Sequence, residues 1–290
     1  MPISNPPALA ATFSPAVMKA LASENFGPVA ARVERLLEPH ESDAKPLGQA
    51  FNDAHSRLLA SYQSEYSYKN QIVSKIVLGR HSLTTASALI EQPMSASVAD
   101  VLVLNGTSTV YEVKTDLDSF ARLQAQVRDY IRHAEYVYVV VSERRASTAK
   151  KNVPEEAGII TLRPRGNLSV IRPAPSNLAT LRHTDIFRLL RTGEALSVMR
   201  ATGGDPQKSP SGHARDVAYA HFRALPLLQA HEAVVQALKL RSTSARALLS
   251  DPGFPSSLRS LAYATELSVI GSNRLSNRLK LPISAILDSV

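Results

Sequence analysis

Along the first third of the chain the apolar positions recur at helical spacing. From Ala16 to Leu37 they follow steps of three and four, with Pro2, Pro6, Pro7 and Pro15 before them and Pro39 after, which predicts a helical lead-in within an N-terminal extension, 1–50. From Leu47 to Leu78 the pattern continues through Leu58, Leu59, Tyr62, Tyr66, Ile72, Val73, Ile76 and Val77, and Gly79 supplies a stop. This predicts one long helix, or two with a break near Ser61–Ser64.

The period then changes. An apolar run from Ala99 to Leu104 meets Asn105-Gly106 and an alternating segment from Thr109 to Lys114, the pattern of two strands joined by a tight turn. Phe120, Leu123, Val127, Ile131 and Ala134 return to helical steps, and Tyr136 to Val141 has the continuous β-branched character of a strand buried on both faces. Weaker strands are expected at Gly158–Leu162 and Leu168–Ile171, before Pro173 and Pro175 mark a boundary. Beyond it, 183–200, 213–223, 227–240, 244–250 and the last thirty residues read as short helices, broken by the polar segment Gly203 to Gly212 and by Asp251-Pro252-Gly253. The fold class is α/β, with a core of 51–175 and a helical accessory region, 176–290.

Composition narrows the chemistry. In 290 residues, 44% apolar and 20% charged, no run approaches the ~18 apolar residues of a spanning helix, so no membrane partner is expected. The first twenty residues lack the basic start and apolar stretch of a signal peptide, which makes a cytoplasmic location the expectation. There is no cysteine, so disulfides, thiolate nucleophiles and Cys-based metal sites are excluded, and any metal must be held by oxygen or imidazole. The net charge of +8 favours an anionic partner, nucleic acid above all. Residues 176–290 hold fourteen Lys and Arg against eight Asp and Glu, so most of the surplus sits there, where self-association or a protein partner is the other role considered.

Strand alternation in Val110-Tyr111-Glu112-Val113-Lys114 places Glu112 and Lys114 on one face and Tyr111 and Val113 on the other. Two ionisable groups on an otherwise apolar strand must be paired or bind a metal, because burying lone charges is costly. Whether Asp100 joins them depends on register. A two-residue turn at 105–106 sets Asp100 opposite Tyr111. A three-residue loop, 105–107, with a left-handed residue sets it opposite Glu112, and this register, or an equivalent bulge, is the one expected. Two carboxylates on neighbouring strands then suit Mg²⁺, which keeps several of its waters.

This spacing, Asp100 followed after eleven residues by Glu112-Val113-Lys114, on a hairpin between two helices, resembles the PD-(D/E)XK nuclease superfamily. Glu65-Tyr66-Ser67-Tyr68-Lys69-Asn70, Gly79-Arg80-His81-Ser82 and Asn105-Gly106-Thr107-Ser108 are similar to an uncharacterised bacterial branch of nuclease-like proteins. The resemblance spans roughly 55–175. It implies a restriction-endonuclease-like core, helix, mixed central sheet and helix, and a metal-dependent nuclease acting on DNA. It further implies that Asp100 and Glu112, with the Val113 carbonyl and Glu65, hold Mg²⁺, for which Mn²⁺ can substitute. Lys114 would position water or neutralise the transition state. Gln126 and Tyr130 match a Gln-x-x-x-Tyr signature, and their spacing of four puts both on one helix face. Ala99 stands where the family pattern has proline. The alternative is a non-cleaving nucleic-acid-binding or scaffold protein on the same fold, and a Glu65–Lys69 surface pair is the plain reading of Glu65.

Overall fold

A computed structural model describes residues 5–37, 41–163, 166–206 and 212–288. Pro39, the expected stop of the first helical stretch, and residues 207–211 of the polar segment lie outside them. In chain order the elements are α1 (Pro6–Ala10), α2 (Pro15–Ala22), α3 (Ala30–Glu34), α4 (Leu47–Ser61), α5 (Glu65–Ile72), β1 (Ser87–Met94), β2 (Ser97–Leu104), β3 (Ser108–Lys114), α6 (Leu123–Tyr130), β4 (Tyr136–Ser142), α7 (Ala146–Asn152), β5 (Gly158–Leu162) and β6 (Leu168–Arg172). They continue as α8 (His183–Arg188), α9 (Thr192–Ala201), α10 (Ala214–Arg223), α11 (Leu227–Lys239), α12 (Thr243–Leu249), α13 (Arg259–Ala264), α14 (Val269–Lys280) and α15 (Ile283–Leu287). No helix is long and apolar enough to cross a membrane among the described residues.

The chain divides into two units that do not follow the boundaries expected at 50 and 175. Unit one takes 1–83, 162–168 and 242–290, and unit two takes 84–161 and 169–241. The physical reason is a shared core: Leu9, Met18, Leu21 and Phe51 from the first part of the chain bury with Leu258, Leu275, Leu279 and Ile283 from the last. In unit one the long helical pattern takes the second of its two alternatives, α4 ending at Ser61 and α5 starting after Ser64, whose hydroxyl accepts the Ser67 N–H as an N-cap.

Unit two is built on a six-stranded sheet in the order β1-β2-β3-β4-β5-β6. β1, β2 and β3 form an antiparallel meander, α6 crosses over, and β4 returns parallel to β3. The α/β class therefore holds. β1 is the strand the sequence pattern did not announce: Glu91, Gln92 and Pro93 interrupt its apolar run, and Glu91 has a φ of 55°. One sheet face packs Leu102, Leu104, Val110, Val137, Val139 and Val141 against Leu123, Val127 and Tyr130 of α6 and against apolar side chains of α8 to α11. On the other face Tyr111 stacks on Tyr138, ring centroids 5.7 Å apart, as their paired register requires.

Candidate functional site

The β2–β3 hairpin adopts the three-residue loop. Its pairs are Val101↔Tyr111, Leu102↔Val110, Val103↔Thr109 and Leu104↔Ser108. Gly106 supplies the left-handed residue at φ +94°, and the Asn105 N–H closes the loop on the Thr107 carbonyl at 3.0 Å. Continued by one residue, this register sets Asp100 across from Glu112. There the ladder gives way to a side chain, because the Val113 N–H donates to Asp100 Oδ2 at 2.7 Å. Asp100 is half-buried and Glu112 is 2% exposed.

Burial forces Glu112 to find donors within the protein. Lys114 Nζ donates to its Oε1 at 2.8 Å, Gln126 Nε2 donates to the same oxygen at 2.6 Å, and the Tyr130 hydroxyl lies 2.7 Å from Oε2. Lys114 Nζ also reaches Gln126 Oε1 at 2.9 Å. The Gln126 amide thus spans the ion pair, its NH₂ on the carboxylate and its carbonyl on the ammonium. The Tyr130 hydroxyl has a second acceptor, the Val98 carbonyl at 2.9 Å, and a single proton to offer. Burial, then the charge and bond of Glu112 and the charge of Asp100, push that phenol well above its ordinary range, so it stays a neutral donor.

Helix α6 makes this possible by being fixed along its length. Leu123, Val127 and Tyr130 bury one stripe, and Asp129 accepts from Ser97 at the hairpin start at 2.7 Å. Asp116 and Asp118, between β3 and α6, fix the connection between them. Asp118 closes a turn on the Thr115 N–H and hydroxyl, both at 2.7 Å, and Asp116 accepts from Ser142 and Arg144. Burial would raise the Asp116 carboxyl, but those bonds outweigh it and hold it below the usual range.

Against this geometry, the sequence model of the family described as Bacteriophage P4 protein cII matches residues 59–259, more than half of the chain. The chain belongs to the bacteriophage P4 cII family. No curated protein and no solved structure matches it.

Of the site residues expected from sequence, this P4 cII family member gathers Glu112, Lys114, Gln126 and Tyr130 into one bonded cluster, with Asp100 joined to it through the backbone of Val113. Glu65 belongs to unit one, where it is 57% exposed and pairs with Lys69 at 2.5 Å across one helical turn. The pairing joins an exposed carboxylate to a buried ammonium, the Lys69 side chain being 8% exposed. One carboxylate not singled out from sequence is Glu91. It stands between the paired Ile90↔Val101 and Gln92↔Ala99, across β1–β2 from Asp100, and is exposed. Only recognition of β1 as a strand could have found it. Among the described residues, no three His, Asp or Glu side chains gather closely enough to hold a metal ion.

Proposed function

We propose that the chain is a metal-dependent nuclease that hydrolyses phosphodiester bonds in DNA. The observation that carries this reading is the register that sets Asp100 opposite Glu112 with Lys114 on the same strand face. The donor set fits Mg²⁺, a hard cation commonly bound through one or two carboxylates and several waters. Asp100, Glu112 and the Val113 carbonyl would hold it, and when bound it supplies Lewis-acid charge stabilisation at the phosphate. Glu65, engaged by Lys69, is left out of this reading.

The chain's own residues supply the rest. Lys114 brings a positive charge beside the carboxylate pair, where negative charge develops on the phosphate oxygens. Gln126 fixes the separation and orientation of Glu112 and Lys114 by bonding to both. Tyr130, kept protonated, holds Glu112 Oε2 as a donor and takes no part as a base. Apolar side chains of α6 and β4 close the floor of the cluster and keep its polar groups in fixed rotamers.

The test is incubation of the purified chain with labelled duplex, single-stranded and branched DNA and with RNA, in Mg²⁺, Mn²⁺ or EDTA, beside an Asp100→Asn preparation. Cleavage in Mg²⁺ that is lost in EDTA and in the variant is expected. Cleavage that survives in Asp100→Asn, or none on any substrate, overturns the proposal. A second reading, a non-cleaving nucleic-acid-binding protein, is favoured by one observation: Glu112 is already neutralised by Lys114 and satisfied by three donors. Calorimetric titration with Mg²⁺ separates the two, since the second reading predicts no heat of binding.

A further inference from the structure

The last third of unit one contains a surface the nuclease reading does not use. Helices α13 and α14 are joined by four residues, Thr265 to Ser268, and α12 packs against both. Ser268 opens α14 as its N-cap, its hydroxyl accepting the Gly271 N–H at 3.1 Å. The sequence of α14 repeats with period four, Ser272-Asn273-Arg274-Leu275 and then Ser276-Asn277-Arg278-Leu279, so each residue type of the repeat forms its own row along the helix.

The rows have different fates. Leu275 and Leu279 are buried in the unit-one core. Arg274 and Arg278 are turned onto the C-terminal end of α2: Arg274 donates to the Ala22 carbonyl and the Glu24 carboxylate, both at 3.2 Å, and Arg278 donates to the carbonyls of Leu21 at 2.8 Å, Ser23 at 2.5 Å and Glu24 at 3.1 Å. Cations are favourable at a helix C-terminus, so these arginines brace α14 in place. The arc left facing water carries Val269, Ile270, Asn273, Asn277 and Lys280. Val269 is 78% and Ile270 70% exposed, which nothing in the packing of unit one offsets.

We propose that α13, the four-residue turn and α14 form a helix-turn-helix whose exposed α14 arc enters the major groove of duplex DNA. The chemistry of the arc fits that occupant. Asparagine amides match the paired donor and acceptor of an adenine edge, and aliphatic side chains match thymine methyl groups. Lys280 is the cation of α14 on that arc, and the helix has no carboxylate of its own, which suits a phosphate-lined groove. Two carboxylates lie nearby, Glu266 in the turn and Asp251, 3.7 Å from Lys280. α14 is long enough to present both asparagines from one side, and α13 precedes it across a four-residue turn, the chain order of such a motif.

This inference is independent of the nuclease reading, and the test keeps them apart by working in EDTA. The full chain is used to enrich a random-sequence duplex pool, and binding of the enriched duplex is followed by fluorescence anisotropy. A defined motif is expected, and Asn273→Ala and Asn277→Ala are each expected to weaken its binding by ~5- to 100-fold, the range for one base edge no longer read. Lys280→Ala should lower the log–log salt slope by ~0.9. Because Ile270 is exposed, Ile270→Asp provides a further variant with little packing to lose, and it should abolish binding while circular dichroism is unchanged. The proposal is overturned if no motif is enriched, if the variants bind as the parent does, or if Ile270→Asp instead abolishes self-association and leaves DNA binding intact.

Discussion

Replacing Glu112 by alanine is a test of stability before it is a test of catalysis. In the parent, the Lys114 and Glu112 side chains are 9% and 3% exposed, and the ammonium has two described acceptors, Glu112 Oε1 at 2.8 Å and Gln126 Oε1 at 2.9 Å. Alanine removes the charged acceptor and leaves a buried ammonium on one neutral carbonyl. Removing one member of a buried pair costs ~3–5 kcal/mol, because the remaining charge is no longer compensated. The Gln126 amide loses its carboxylate as well, at ~1 kcal/mol, whereas the Tyr130 hydroxyl can turn wholly to the Val98 carbonyl and adds little. A destabilisation of ~4–6 kcal/mol follows. Glu112→Leu with Lys114→Met removes both charges and should recover most of it, to within ~1–2 kcal/mol of the parent. Urea titration followed by circular dichroism measures these differences, and hydrogen exchange at the β3 and β4 amides assigns them to unit two. A single Ala variant as stable as the parent, or a double variant no better than the single, would refute the view that the pair is buried and mutually dependent. The corollary for function is that lost cleavage in Glu112→Ala is ambiguous, and Asp100→Asn is the cleaner probe.

Three further outcomes follow from the same structure. His55 is buried and its imidazole is pushed down to about 4 by desolvation, so protons favour the unfolded chain: stability should fall by ~3 kcal/mol as pH drops from about 6.5 to 4, with His133 and His231 acting in the same direction, and His55→Gln should flatten the urea midpoints measured at pH 7, 5.5 and 4.5. If the variant keeps the full slope, His55 is not its source. Tyr130→Phe keeps the ring and removes the donor to Glu112, and should cost ~1–2 kcal/mol in urea while reducing metal-dependent cleavage less than Asp100→Asn does. Gly158→Ala would drive a methyl into the Tyr138 ring and to 2.6 Å from the Ala174 nitrogen, so a destabilisation of ~1–3 kcal/mol is expected, and an unchanged melting temperature would show that β5 can shift freely.

The parts of this protein that are legible in its sequence are those governed by short-range rules. The β2–β3 register follows from loop length and the conformational freedom of Gly106, and it alone decides that Asp100 faces Glu112. The spacing of Gln126 and Tyr130 follows from helical period, and both reach Glu112. What resists reading depends on packing that no local pattern encodes. β1 is hidden because Glu91, Gln92 and Pro93 interrupt its alternation while its pairing with β2 compensates. Glu65 enters the expected site by resemblance, whereas its neighbour one turn along, Lys69, accounts for it. The division at 83 and 241 cannot be seen in the sequence because it is set by which distant helices share a core.

That division has a consequence for the order of events at the ribosome. Every segment of unit two has been synthesised by Arg241, so its sheet and the helices against it can close while the chain is still growing. Unit one must wait. α2 and α4 emerge early with Met18, Leu21 and Phe51 lacking the Leu275, Leu279 and Ile283 that will cover them, and more than two hundred residues pass before those arrive. During that interval the N-terminal helices expose an apolar stripe, so nascent chains stalled shortly after Arg241 should show a folded sheet beside a chaperone-binding N-terminal segment, and completion of α14 should release it.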